Sequence, residues 1–436
     1  MPTIYGEPMD MSEAVALVKA TDTLAVPLGP GVPVGFLHAL GERDDFTRLE
    51  IFGALLPDLF QLFMRKGVHY RSGFYGPAER FLRDAGASID FVPADFRRFE
   101  PVLRHYNPRV MATVAAPPVD GWVSLSVHAG ATVDELHMAG ADPDRLLIVE
   151  VSEKYPRTFG LEPDHTHRLH LDEIDVLVTT DREPLNLADV PASPAELTIA
   201  ANALEYIRSG CTVQTGIGGI PNQIATLLAS SDITDLGVHS EMFTTGLMRL
   251  HQAGKVSNRK EGDFDGFSPT TFAAGIPELY TWLHENTDVK FLPVKLVNSP
   301  ERIARNRNMV TINGAMAIDL SGQIVADSIF GKQFSGVGGH EDFVSGPGLS
   351  ANGRSLICLP STSMVNGQLT SRIVTQLPAG SVVSTPRHQV DVVITEYGAA
   401  ELHGKTILER SRALATIGHP DFREELLAHA EVWPSD

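Results

Sequence analysis

Short apolar runs of four to six residues alternate along this chain with longer amphipathic stretches, and that alternation limits the fold more than any other feature. "TLAVPL", "RVMATVA", "LLIVEV", "DVLVTT", "CTVQTG", "SLICLP", "SVVST" and "DVVITE" read as strands, being short, rich in branched residues and bounded by turn formers. "MSEAVALVKA", "AELTIAANALEYIRSG", "NQIATLLASS" and "LMRLHQAGK" carry apolar residues at helical spacing. Strands without a polar face, separated by helices, predict an α/β protein with mostly parallel, buried strands. At 436 residues the chain is long enough for two or three domains of ordinary size.

Two stretches share one layout. "TLAVPLGPGVPVGFLHAL" from Thr23 and "CTVQTGIGGIPNQIATLL" from Cys211 both give a strand, a glycine turn, a proline and an amphipathic helix. Gly31 aligns with Gly219 and Pro33 with Pro221, at a separation of 188 residues. The expectation is two related open-sheet halves, 1–190 and 191–436, the second carrying Glu241. The polar, proline-containing stretch 181–197 would join them.

Composition removes several classes. The formal charge of −19 argues against a protein that neutralises nucleic-acid phosphates, while leaving room for a small anion held by local N–H groups. No run of 18 apolar residues suggests a membrane span. The first residues, "MPTIYGEPMDMSEAV", lack the basic-then-apolar order of a secretion signal. The two cysteines, Cys211 and Cys358, sit in apolar runs and read as reduced core residues, which fits the cytoplasm.

Chemistry-bearing residues concentrate in a few places. "GVHSEMFTTGLMRL", 237–250, sets Glu241 at the edge of apolar sequence, where a carboxylate costs desolvation unless it is paired or used. Glu396, at the end of "DVVITE", is a rival nucleophile that could equally cap N–H groups or hold a loop. "QTGIGGIP", 214–221, reads as a tight turn or a ligand loop, and its glycine spacing fits neither a P-loop nor G-x-G-x-x-G. "FSGVGGHEDFVSGPG", 334–348, holds more glycine than a hairpin needs and is read as facing a ligand. His165, His167 and His170 invite a metal reading, but in a strand His170 faces away from the other two. The chain has no G-x-S-x-G, HExxH or CxxC. The basic residues Lys255, Arg259 and Lys260 read as a solvated run or as contacts to a ligand phosphate.

Together, "TGIGGIPNQIA", "LGVHSEMFTTGLMRLHQAGKVSNRKE", "QFSGVGGHEDF" and "ITEYGAAELHGKTILERSRALATIGHPDFREEL" resemble the acetyl-CoA hydrolase/transferase family of class I coenzyme A transferases, near its 4-hydroxybutyrate and butyrate or propionate CoA-transferases. "GVHYRSGFYG", "LLIVEVSEKYPRT" and "LHLDEIDVLV" extend the likeness into the first half. The resemblance implies two CoA-transferase-like α/β domains with the active site between them. It implies Glu241 as the nucleophile, in the place of the family's "HSEM" glutamate. It implies a CoA-binding loop at Gly218, Gly219, Ile220, Pro221 and Asn222, further contacts at Asn313 and Ala315, and Gly338 with Gly339 against the thioester. His340 and His403 stand where family members often carry Gln and Arg, and "APPVDGWVSLSVHAG", 116–130, replaces a more glycine-rich stretch.

The implied activity is ping-pong transfer of CoA from a short-chain acyl-CoA to a carboxylic acid such as acetate, through a glutamyl-CoA thioester. The enzymatic alternative is acyl-CoA hydrolysis by the same glutamate. A CoA-binding protein without turnover is the non-enzymatic one, and a carboxylate beside a bound thioester counts against it. CoA would be a cosubstrate, with no resident cofactor and no metal. A cytoplasmic homodimer completes the expectation.

Overall fold

The computed structural model describes residues 8–260 and 262–431. The opening residues 1–7 and position 261 of the basic run lie outside them. The described chain forms two compact units.

The first unit carries a sheet of seven parallel strands in the order 89–91, 68–72, 48–54, 21–28, 110–115, 146–151, 176–179. Val110–Ala115 is buried throughout its length, as expected of a central parallel strand covered on both faces. Period-two alternation divides its neighbours between two cores. Leu24, Val26, Ile51 and Tyr70 pack with Phe36, Leu37 and Phe63 on one face. Ala25, Phe52, Met111 and Val149 pack with Leu136 on the other.

The second unit carries six strands in the order 237–238, 212–215, 309–314, 354–358, 392–395, 398–401, all parallel except the last pair. Its core includes Ile318, Val344, Ile357, Val393 and Leu414. In both sheets the strand order reverses beside the unit's leading strand, 21–28 in one and 212–215 in the other. These are the two strands whose sequences match. The aligned glycines also play one role. A Cβ on Gly31 would lie 2.5 Å from the His128 ring, and one on Gly219 would lie 2.6 Å from Glu196 Oε1.

The first unit's main run ends at Ala188, within the stretch read as a linker. Two segments from the range 191–436, Glu241–Phe243 and Pro269–Val297, group with the first unit. The reason is apolar: Met242, Phe272, Ala274 and Val294 share one cluster with Ala54, Phe96, Phe99 and Ala131.

One expected strand is absent. "SVVST", 381–385, is a loop with a single bridge from Thr385 to Ile324, and Val382 and Val383 are exposed. Ser384 is occupied by Asp327 Oδ1 at 2.6 Å, and Pro378, Gly380 and Pro386 break the segment on either side. Of the strands in the two main sheets, Arg48–Ala54, Val68–Ser72, Ile89–Phe91, Gly237–Val238, Met309–Gly314 and Gly398–Glu401 were not read from the sequence. Among the described residues no helix is long and apolar enough to cross a membrane.

Candidate active site

Glu241 occupies a bend between strand Gly237–Val238 and the two-residue strand Met242–Phe243. Its carbonyl oxygen accepts from Thr271 N (2.8 Å), Thr270 Oγ1 (2.9 Å), Thr271 Oγ1 (3.0 Å) and, more weakly, Phe272 N (3.4 Å). Met242 and Phe243 pair in parallel with Phe272 and Ala273. Phe243 is fully buried and stacks on Trp282, centroids 5.7 Å apart and planes 10° apart. The apolar pair after Glu241 therefore anchors the backbone, and the carbonyl is held by four donors. The residue itself is only half-buried. This is a rigid mount for a side chain, which positioned chemistry requires.

The glycine segments and Asn313 meet a separate logic. In open α/β sheets, ligands bind beyond the carboxyl ends of the strands where the order reverses. In the second unit that point lies between strands 212–215 and 309–314, paired from Thr212↔Met309 to Thr215↔Ile312. Strand 212–215 runs into Gly216–Gly218 and then helix Gly219–Ser230. Strand 309–314 ends at Asn313 and Gly314, and Ala315 follows it. Residues read from two distant stretches thus arrive at the same edge of one sheet.

Local chemistry explains each of them. Gly218 has φ +116°, a conformation an L side chain rarely adopts. Gly219 opens the helix where Glu196 leaves no room for a Cβ. Ile220 is buried and anchors the first turn, and Pro221 occupies a first-turn position whose N–H would go unused. Asn222 donates through Nδ2 to Asp189 Oδ1 (3.2 Å), and Asp189 also pairs with Arg249 at 2.6 Å. Ala315 is buried. Asn313 Nδ2 is buried and has no hydrogen-bond partner. A buried amide donor left unmet is costly, so an acceptor supplied by a ligand is the economical reading.

Gly338 (φ +56°) and Gly339 precede the short helix His340–Ser345, which lies in the connection between parallel strands 309–314 and 354–358. Thr311 Oγ1 donates to Phe343 O at 2.6 Å and fixes that helix to the sheet. Gly346 is a packing glycine, since a Cβ there would meet Ile303 Cγ2 at 2.5 Å. The glycines of 334–348 therefore do not all face a ligand. His340 Nε2 lies 2.8 Å from Thr385 Oγ1, whose own proton goes to Glu341. Burial pushes the His340 pKa down to about 4, against the pull of Asp327. His340 is therefore neutral near pH 7 and donates through Nε2, the behaviour of an uncharged amide side chain.

Other candidates have structural duties. Glu396 accepts Ser361 N (2.9 Å) and Ser361 Oγ (2.6 Å), closing the turn after strand 354–358. His167 is buried, bonds Ser126 O at 2.8 Å and stacks on Phe291, and burial lowers its pKa to about 3. His170 accepts Asp172 N through Nδ1 at 3.2 Å. Among the described residues no group of three His, Cys, Asp or Glu side chains is placed to hold a metal ion. Lys255 donates to Ser231 O, Arg259 pairs with Asp235, and Lys260 is buried against the carbonyls of Val238 and Phe267. His403 is exposed. Cys211 and Cys358 are buried free thiols.

Two α/β units, each with a mostly parallel sheet whose order reverses beside its leading strand, form the fold, and one unmet donor, Asn313 Nδ2, lies at the second unit's switch point. Likeness to known proteins gives this architecture its class, that of the CoA-transferases. Residues 275–430 match the acetyl-CoA hydrolase/transferase C-terminal domain. The chain is 34% identical over 423 residues to succinyl-CoA:cyclohexane-1-carboxylate CoA transferase of Geobacter metallireducens, covering 95% of this chain and 92% of that protein. It is 34% identical to 4-hydroxybutyrate coenzyme A transferase of Clostridium kluyveri, over 97% of each chain. The crystal structure of RipA from Yersinia pestis superposes with a TM-score of 0.88 at 28% identity, covering 98% of this chain and 97% of that one. The chain belongs to the acetyl-CoA hydrolase/transferase family.

Proposed function

We propose that this protein transfers CoA from a short-chain acyl-CoA to a carboxylic acid such as acetate, with Glu241 as nucleophile. The observation that carries the assignment is a half-buried carboxylate residue whose own carbonyl is held by four donors from residues 270–272. Backbone fixed this firmly, in a residue that is only half-buried, suits attack on a bound carbonyl.

A Glu241 oxygen attacks the thioester carbonyl carbon, the C–S bond breaks, and CoA leaves as thiolate. The product is an acyl-glutamyl anhydride. The thiolate then attacks the Glu241 carbonyl carbon, releasing the acyl group as a carboxylate and leaving a glutamyl-CoA thioester. An acceptor carboxylate attacks that thioester, and the two steps run in reverse. Glu241 ends as it began.

An anhydride lies uphill of a thioester, so the barrier must be lowered elsewhere. Contacts to the non-reacting nucleotide and pantetheine of CoA can supply that energy. In this reading Gly218, Gly219, Ile220, Pro221 and Asn222 receive CoA, with Asn313 Nδ2 and Ala315 on the neighbouring strand. Gly338 and Gly339 offer N–H groups to the developing oxyanion, an effect of roughly 3–4 kcal/mol per donor in favourable cases. CoA is a cosubstrate and no resident cofactor is invoked. The buried free thiols support a reducing, cytoplasmic setting. A homodimer belongs to the same proposal.

The family's description names hydrolysis as well as transfer. Water reaching the anhydride or the thioester would give acyl-CoA hydrolysis through the same Glu241. The test follows acyl-CoA with and without an acceptor acid. Loss that depends on the acid supports transfer; equal loss without it supports hydrolysis. Glu241→Ala is expected to abolish both.

A further inference from the structure

The carboxyl edge of the second unit's sheet holds a cation that nothing above uses. Arg372 follows the hairpin of strands Thr362–Val365 and Gln368–Ser371. Its backbone N–H donates to Ser361 O at 2.8 Å, beyond the end of strand 354–358. The next residue, Ile373, is fully buried and pairs with Ile318. The guanidinium reaches back to Ala315 O, just past the end of strand 309–314, with Nη1 at 3.5 Å. Arg372 thus lies across the ends of two central strands.

Its side chain is half-buried and poorly met. A guanidinium has five N–H donors, and this one makes a single long hydrogen bond. It forms no ion pair among the described residues. The two carboxylates whose charge it feels, Glu396 and Glu196, are committed elsewhere. Glu396 holds Ser361 N and Oγ, and Glu196 holds Ser193 N and Oγ. Burial works against the charge, which those two carboxylates help to keep. Partly buried arginines are ordinarily paired. The backbone carbonyl that Arg372 meets belongs to the residue two beyond Asn313, whose Nδ2 is the other unmet donor at this edge.

We propose that Arg372 recognises the carboxylate of the acid substrate, a role that rests on the CoA-transfer reading of this site. Its planar fork matches a carboxylate bidentately, which a lysine ammonium cannot do. The flanking Glu196 and Glu396 make the surroundings of Arg372 net negative. That field tolerates a ligand with one charge better than a phosphate with nearly two.

The test compares the wild type with Arg372→Ala and Arg372→Lys. KM for the acceptor acid should rise about tenfold or more in Arg372→Ala, the scale of one lost charge-assisted hydrogen bond, and recover in part in Arg372→Lys. KM for acyl-CoA should stay within about twofold. Butyrate binding seen by ligand-observed NMR without CoA should be lost in Arg372→Ala, a readout independent of turnover. A rise in KM for acyl-CoA, absent with the phosphate-free acyl-N-acetylcysteamine thioester, would assign Arg372 to a CoA phosphate and overturn the carboxylate role. Unchanged acid KM and unchanged butyrate binding would overturn it outright. A wild type that binds butyrate through Arg372 yet exchanges no CoA would refute the transfer reading while leaving the carboxylate contact standing.

Discussion

Thr271 holds Glu241 twice, through its N–H at 2.8 Å and its Oγ1 at 3.0 Å, both to the same carbonyl oxygen. Thr271 is fully buried, so the hydroxyl has no water to turn to. Thr271→Val keeps the shape and removes the second bond. Stability should fall by about 1 kcal/mol, the net worth of a typical hydrogen bond. CoA exchange should fall more than that loss explains, because the carbonyl belongs to the proposed nucleophile. Thr271→Ser should restore both. The measurements are urea denaturation and the steady-state exchange rate.

Gly219 and Glu196 should be energetically coupled. Glu196 Oε2 closes the capping box of helix Pro194–Leu204 with Ser193, while Oε1 lies where a Cβ on residue 219 would fall. Gly219→Ala should displace that carboxylate and cost about the 1 kcal/mol of a helix cap. Glu196→Ala should cost about the same. The double variant should cost little more than either single one, a departure from additivity that a denaturation cycle reads directly.

His340 should make the protein acid-sensitive. Its pKa is about 4 in the fold against 6.5 ordinarily. Between those values the unfolded chain binds the proton and the folded one does not. Stability therefore falls as pH drops through this window, by up to about 1.4 kcal/mol per unit for this group. His340→Gln, which keeps a neutral donor, should show a shallower loss of stability from pH 6.5 to 4 while retaining CoA exchange at pH 7.

Lys260 should act at the other end of the scale. Its ammonium is buried against Val238 O and Phe267 O, and burial brings its pKa down to about 7 from 10.5, with Asp265 opposing. Above pH 7 the folded state releases a proton that the unfolded state keeps until about pH 10.5, so wild-type stability gains with pH across that range. Lys260→Met lacks this gain. The melting temperature of the variant relative to wild type should be highest near pH 7 and decline toward pH 10.

How much of this was legible in the sequence depended on whether the signal was local. Strand–glycine turn–helix units announced themselves through residues 23–40 and 211–228, because both the turn chemistry and the apolar spacing lie within one window. "SVVST" failed for the opposite reason. Its composition suits a strand, but its pairing stops at one bridge from Thr385 to Ile324, and the hydroxyls of Ser384 and Thr385 are taken by Asp327 and by the His340–Glu341 pair. Met309–Gly314 was missed although its "VTI" core is branched and apolar, and it proved to be the strand that brings Asn313 to the edge. Glu396 could not be separated from Glu241 by sequence, since Ser361 lies 35 positions away from it. Arg372 gave no signal, because its unmet state is visible only once Ala315, Ser361 and Glu396 are seen around it. The grouping of Glu241–Phe243 with residues 269–297 rests on apolar contacts that no local pattern reports.

The central claim is that Glu241 carries CoA covalently. Incubating the protein with acyl-CoA alone, reducing with borohydride and mapping the peptides by mass spectrometry tests it at one residue. The account predicts conversion of the Glu241 side chain to its alcohol, acyl-CoA-dependent loss of activity, and neither change at any other carboxylate. Reduction at Glu396 instead, or an unmodified Glu241 in a protein that still exchanges CoA, would contradict it.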